Sequence, residues 1–334
     1  MWLVTIFENI MFKNIKISHF KSIKEIELDC SRVNLFIGGP NTGKSNILEA
    51  FGLLSSTYSH DLSQFIRFTH ITDMFNDFDI FNKISVTLDE NIVTFSLEEG
   101  VLYTNFYEGS EWKQIKEYHK NNVYSTSGTP KSKQVLGSIK FYKFAEMRKA
   151  ETDKLDYLQP PSGNNLSSVI LTRKELREEI ANLLGGFGYR LTIEEPERNI
   201  KLLAEKKDML TLIPYNLLSD TLQRMMFYLA AIYSNEKSVI ILNEPESNTF
   251  PYYTKNIAEM IALDDKKNQY FISTHNPYFL LSIIEKTRAN DLSVFLTYMK
   301  EYETKVKMLQ QDQLEDIMDH STDPFFNIDT YLEE

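Results

Sequence analysis

Cysteine is nearly missing: Cys30 is the only one in 334 residues. That excludes a disulfide within the chain and any cysteine-rich zinc site, and it fits a reducing cytoplasm. Long apolar runs are missing too. The longest internal one, residues 225–233, falls far short of the roughly 20 residues that cross a bilayer, so no membrane partner is expected. The opening MWLVTIFENIM is apolar but short, carries Glu8 and lacks a basic segment, and does not read as a signal peptide. Met11 offers a second start, which would leave residues 1–10 outside the fold. Positive charge is in deficit, with 36 Lys and Arg against 47 Asp and Glu and a net charge of −11. This argues against a protein that coats nucleic acid over its whole surface, and leaves DNA binding to a local basic patch. His19, His60, His70, His119 and His320 show no ligand spacing, so no metal cluster is assigned. Neither repeats nor a long heptad segment occur.

What is present is ordinary for a globular protein with a sizeable core: 42% hydrophobic and 25% charged residues. The length suits one large α/β domain or two smaller ones, in the cytoplasm. Residues 12–30 alternate apolar and polar in two runs, as a hairpin of half-buried strands does. An apolar run over residues 33–37 then meets a glycine loop, followed by helical spacing of Ile47, Leu48, Phe51 and Leu54. Residues 83–107 read as an antiparallel meander of three strands. Residues 108–136 are polar and read as a mobile insertion. A strand is expected near 139–144 and one helix across 165–184, broken by Gly185, Gly186 and Gly188. From residue 217 the spacing predicts helix 218–234, strand 238–242, helix 252–263, strand 269–273 and helix 277–287. A hairpin at 292–299 and 303–309 closes the chain. Strands alternating with helices imply a mainly parallel sheet in this half.

Three motifs carry chemistry. Gly38-Gly39-Pro40-Asn41-Thr42-Gly43-Lys44-Ser45 fits G-x-x-x-x-G-K-[ST] in full. Glycines let backbone N–H groups curl around phosphate oxygens, and the following helix aims its positive dipole end at them. Lys44 would reach the β- and γ-phosphates of ATP, and the Ser45 hydroxyl would ligate Mg²⁺. The second motif, SVIILNEPE, is an apolar strand delivering acids to the ligand edge of a parallel sheet. Glu244 is the candidate general base. Asn243 stands where an Asp usually holds Mg²⁺, keeping an acceptor oxygen but no charge. The third, QYFISTH, places His275 at a strand end where it can hydrogen-bond and sense the γ-phosphate.

The order of these motifs resembles the ABC-type ATPases of the SMC, RecF and OLD group, most closely the short AAA-family ATPases related to OLD. The resemblance spans about residues 12–290 and includes the opening IKISHFKSIKEIEL, the segment LSDTLQR, LNEPE and STHNP. It implies a P-loop NTPase domain over 12–290, with an insertion at about 108–165, an antiparallel β subdomain and a mainly parallel core sheet. Residues 291–334 would form a C-terminal hairpin and acidic tail. By the same resemblance Ser219 contacts the γ-phosphate of ATP held by a second copy, so a homodimer closes over nucleotide. LSDTLQR lacks the paired glycines of transporter signatures, and the alternative for Ser219 is a plain helix cap. The family's Q-loop glutamine has only Gln64 as a placeholder. Glu246 and Pro251 resemble the segment after the acidic strand, where Glu246 reads as structural. Arg148 could reach phosphate or nucleic acid but reads more readily as a solvated charge, and the Phe325-Phe326 pair could dock on a partner but reads more readily as packed back on the domain. The chain lacks SMC-type heptads and room for a TOPRIM domain, so any nuclease effector would be a separate polypeptide. The late acidic strand and the lack of a lid argue against a small-molecule kinase. The expected activity is ATP hydrolysis by a dimerising switch, in DNA metabolism or phage defence. The alternative is a hydrolysis-poor, nucleotide-gated module that regulates an effector.

Overall fold

The computed structural model describes residues 11–58, 61–119, 123–125, 128–145, 156–206, 209–319, 325 and 331–332. Residues 1–10, His60, Arg148, His320 and Phe326 lie outside this set. The opening hairpin forms as β1 (Asn14–Phe20) and β2 (Ile23–Asp29), with Ile17 opposite Ile26. Then come β3 (Val33–Ile37), the glycine loop and α1 (Lys44–Ser55). The meander is β4 (Ile84–Leu88), β5 (Asn91–Glu98) and β6 (Val101–Glu108).

The supposed insertion at 108–136 is largely ordered instead. It holds β7 (Glu111–Tyr118), β8 (Val123–Ser125) and α2 (Pro130–Ser138). Polar composition hid β7 because little of it faces the core: Ile115 and Tyr118 are buried, and Lys116 is buried with its ammonium donating to the Ser56 carbonyl at 3.1 Å. Thr129 caps α2 by accepting from the Ser132 amide. The result is a seven-stranded antiparallel sheet, ordered β2-β1-β4-β5-β6-β7-β8.

Next come β9 (Ile139–Tyr142), α3 (Leu166–Thr172) and α4 (Lys174–Gly185). The single helix expected over 165–184 breaks at Arg173, whose backbone is extended and whose Nε donates to the Asp156 carbonyl at 2.9 Å. A three-stranded sheet that the sequence reading did not contain follows: β10 (Tyr189–Glu194), β11 (Asn199–Lys206) and β12 (Met209–Pro214). β12 is exposed over most of its length and so shows no in-out alternation. The second half follows the expected order: α5 (Asp220–Tyr233), β13 (Val239–Asn243), α6 (Pro251–Ala262), β14 (Gln269–Ser273) and α7 (Pro277–Lys286). The closing hairpin is β15 (Leu292–Lys300) and β16 (Glu303–Met308), and an unforeseen α8 (Gln311–Asp319) ends the described elements.

The core sheet runs β16-β15-β3-β14-β13-β9, parallel throughout except at β16. Because side chains alternate across a strand, each of these apolar strands feeds two cores. Val33, Leu35, Ile37, Ile240 and Leu242 face the core under α5–α7. Phe36, Val239, Ile241, Phe271 and Phe295 face the one shared with α1 and the antiparallel sheet. There Phe51 of α1 meets the Phe271 ring at 4.5 Å between centroids. Burying one such ring contributes roughly 1.5–3 kcal/mol, which fixes the helix that follows the glycine loop.

Candidate functional site

Parallel strands β3, β14 and β13 are neighbours, so their C-terminal ends bring the three motifs together at one edge of the sheet. The glycine loop leaves β3 and turns straight into α1. Gly38 has φ of 142° and Gly43 of 95°, conformations open to glycine and strained for other residues. Space is the second restriction. A Cβ on Gly38 would lie 2.3 Å from the Thr297 carbonyl oxygen, and one on Gly43 would lie 1.9 Å from Thr304 Oγ1. The closing hairpin therefore packs directly against the loop. Thr42 Oγ1 shares a hydrogen bond with Thr297 Oγ1 at 2.8 Å, and Thr297 Oγ1 donates to the Ile37 carbonyl at 3.0 Å.

Lys44 is buried, and its ammonium donates to the carbonyls of Gly38 and Gly39 at 2.8 and 2.7 Å. Burial lowers its pKa to about 8, with Glu244 pulling the other way. Ser45 is half-buried in the first turn of α1, while Pro40 and Asn41 are exposed on the loop crest.

At the end of β13, Asn243 Oδ1 accepts from Ser273 Oγ at 2.7 Å. Glu244 has φ of 48°, uncommon for a residue with a Cβ and of a kind that clusters at functional sites. Its amide donates to the Ser273 carbonyl, and its carboxylate lies 3.1 Å from His275 Nε2 and accepts from Ser247 Oγ. His275 is partly exposed. Burial first, then the charge of Lys44, lower its pKa, and Glu244 opposes both. Lys44, Glu244 and His275 thus lie within electrostatic reach of one another.

Glu246, expected to be structural, holds the turn that carries His275. It is buried, its Oε1 accepts from Thr274 Oγ1 at 2.5 Å and from the His275 amide at 3.3 Å, and Oε2 has no partner among the described residues. Burial pushes its pKa up to about 7 against those hydrogen bonds. Pro251 occupies the first turn of α6. Ser219 caps α5, its Oγ accepting from the Leu222 amide at 3.4 Å. It is exposed and has no hydrogen bond to the glycine loop among the described residues. Gln64 sits in a short 3-10 turn, exposed and donating to Asp61 at 3.3 Å. Thr297, Thr304 and Ser273 escaped the sequence reading because they act through contacts distant along the chain, which leave no local pattern. Phe325 packs on the larger core, as expected.

Residues 11–158 match the family model described as "AAA ATPase domain". Residues 138–282 match the one described as "AAA domain, putative AbiEii toxin, Type IV TA system". A Helicobacter pylori protein named ATP/GTP phosphatase is 22% identical over 353 residues, covering 90% of this chain and 93% of that one. The fold is similar to an SMC head bound to the C-terminal winged-helix domain of ScpA, with TM-score 0.55 at 14% identity over 91% of this chain and 99% of that one. It is also similar to the Pyrococcus furiosus SMC head with an extended coiled coil bound to the C-terminal domain of ScpA, with TM-score 0.52 at 13% identity over 93% and 99%. Sequence and fold point the same way: AAA ATPase domain sequence is matched over residues 11–158 and 138–282, on a fold similar to that of SMC heads. The longest described helix, α5, has 14 residues, so no coiled coil occurs among the described residues. None of their helices is long and apolar enough to cross a membrane.

Proposed function

We propose that this chain hydrolyses ATP to ADP and phosphate and works as a dimer closed over nucleotide. The observation that carries the reading is the convergence of Lys44, Glu244 and His275 beside the glycine loop at one sheet edge. The name of the Helicobacter pylori relative supports hydrolysis. In this reading the backbone of Gly38, Gly39, Pro40, Asn41, Thr42 and Gly43 wraps the phosphates, and Lys44 neutralises their charge. Glu244 accepts the proton of the attacking water, and His275 donates to the γ-phosphate. Ser219 reaches the nucleotide of the other copy. The ATPase domain runs over 12–290, and the hairpin and tail of 291–334 lend it Thr297 and Thr304.

Ser45 Oγ and Asn243 Oδ1 are the oxygens that would hold Mg²⁺. Asn243 Oδ1 keeps one lone pair beyond the bond from Ser273, and hard oxygen donors few in number suit a cation that retains waters and phosphate oxygens. The cation would supply charge neutralisation on the β- and γ-phosphates.

The test is steady-state phosphate release. Wild type should release phosphate with Mg²⁺ and ATP, and Glu244→Gln should release it about 100-fold more slowly or worse while still binding ATP. Lys44→Ala should lose both. A second reading rests on the uncharged Asn243: a nucleotide-gated module with little hydrolysis that regulates a separate effector such as a nuclease. ATP binding without release by wild type would select it. A role in DNA metabolism or phage defence predicts phosphate release stimulated by DNA or by an effector.

A further inference from the structure

The turn from β14 into α7 carries His275, and it is held from two sides. On one side the Thr274 amide donates to the Phe36 carbonyl of β3, just ahead of the glycine loop. On the other, Glu246 Oε1 takes both the Thr274 hydroxyl and the His275 amide. Thr274 Oγ1 in turn accepts from the Asn276 amide at 3.0 Å, and Asn276 Oδ1 caps α7 through the Tyr278 and Phe279 amides. Directly or through that hydroxyl, one carboxylate anchors three consecutive residues with His275 in the middle.

Glu246 stands on a firm base. Its carbonyl accepts from the amide and the hydroxyl of Thr249 at 3.1 and 2.6 Å, and that hydroxyl also bonds Thr254 of α6 at 3.0 Å. The imidazole is held less well. Its hydrogen-bonding partner among the described residues is Glu244, and the His275 side chain is 44% exposed. Glu244 takes up a proton in the hydrolytic reading, so its hold on the ring changes during the reaction. Glu246 is 5% exposed, lies beneath the turn and keeps its hold throughout. Burying a carboxylate is costly, and groups retained at such a cost cluster where function requires them.

We infer that Glu246 is a positioning residue for His275. It fixes the backbone from which the imidazole meets Glu244 and the γ-phosphate. The inference rests on the hydrolytic role proposed above, but one arm of its test does not.

Phosphate release and calorimetric ATP titration compare wild type with Glu246→Ala, Glu246→Gln and Thr274→Val. Glu246→Ala should lower kcat about 30-fold and leave ATP affinity within about threefold, because a misplacement of about 1 Å costs on the order of 100-fold in rate. Thr274→Val removes the same hydrogen bond from its other end and should do likewise, which covers a Glu246→Ala protein that folds poorly. Glu246→Gln keeps an acceptor oxygen for Thr274 and the His275 amide, so its kcat should stay within about threefold of wild type. A loss in Glu246→Gln as large as in Glu246→Ala would assign the role to charge and overturn the inference. In a His275→Ala background, Glu246→Ala and Thr274→Val should each cost less than about threefold more, since the group they position is gone. Losses that multiply in full with that of His275→Ala belong to a merely structural role and overturn it too. The remaining arm is read without nucleotide, from the proton–carbon correlations of the His275 ring, assigned by their absence in His275→Ala. They should shift in Glu246→Ala and Thr274→Val and stay near wild type in Glu246→Gln. If wild type releases no phosphate, the hydrolytic reading fails and this arm still decides. Ring signals that do not move in either variant sink the positioning role, whether or not ATP is hydrolysed.

Discussion

Glu246 stands two residues beyond Glu244, yet the two carboxylates differ in kind. Glu244 faces His275 at the site, whereas Glu246 is buried beneath it and holds the Thr274 hydroxyl and the His275 amide. Its folded pKa of about 7 exceeds the ordinary 4.5, so the folded chain binds this proton more tightly than the unfolded chain. Below about pH 4.5 both states are protonated and the group is neutral to stability. As pH rises from there through 7 the folded state must bury a charge, and it loses roughly 3 kcal/mol at most. Glu246→Gln lacks this titration. The melting-temperature difference between Glu246→Gln and wild type should therefore shift in the variant's favour from pH 5 to pH 8. A difference that stays flat over that interval would place the proton elsewhere. The residue type was legible in EPESNTFP, but burial was not, because it arises from β14 and its following loop packing over that side chain.

The elements that follow strict periodicity were readable: the first hairpin, the strand–loop–helix at the glycine loop, and the strand and helix alternation from α5 to α7. Strict alternation and continuous apolar runs survive in those segments because each buries a full face or both faces. β7 and β10–β12 were not readable, since they bury too little to show a period. The joining of β15 to β3 was also invisible, although it decides how the glycine loop is held. Thr297 on β15 bonds both the Ile37 carbonyl and Thr42, and it is fully buried. Thr297→Val keeps the shape and removes both hydrogen bonds, which should destabilise the fold by about 1–2 kcal/mol. Because Thr42 loses a tether, ATP affinity should fall as well, read by calorimetric titration. A variant of lowered stability but unchanged ATP affinity would show that the hairpin supports the sheet and not the loop. Gly43→Ala is a harsher probe of the same contact. Trimming Thr304 to Gly in that background should rescue it only in part, because the positive φ at residue 43 remains.

At the scale of the molecule, nothing in the spacing of residues announced a dimer; that expectation came from resemblance, and exposed apolar residues around the candidate site offer places to test it. Leu217 precedes the α5 cap, Phe250 precedes α6 and Tyr278 follows the His275 turn, and all three are more than half exposed. Thr221 Oγ1 donates to the Asn248 carbonyl, tying the start of α5 to the loop beyond β13. Closure of two copies would cover these apolar groups and bring each Ser219 toward the other copy's nucleotide. In Glu244→Gln, where turnover is slowed, ATP with Mg²⁺ should hold the dimer long enough to be seen by sedimentation, and ADP should not. Leu217→Asp and Ser219→Arg should each return it to monomer without weakening ATP binding to the single chain. Two chains of charge −11 repel at long range, and salt screens that repulsion beyond about 8 Å at physiological strength. The nucleotide-bound dimer should therefore tighten as salt is raised from low to about 0.15 M. A purely polar, ion-paired interface would loosen instead. A monomer in every nucleotide state and at every salt concentration would remove the dimer and leave only the binding of nucleotide to a single chain.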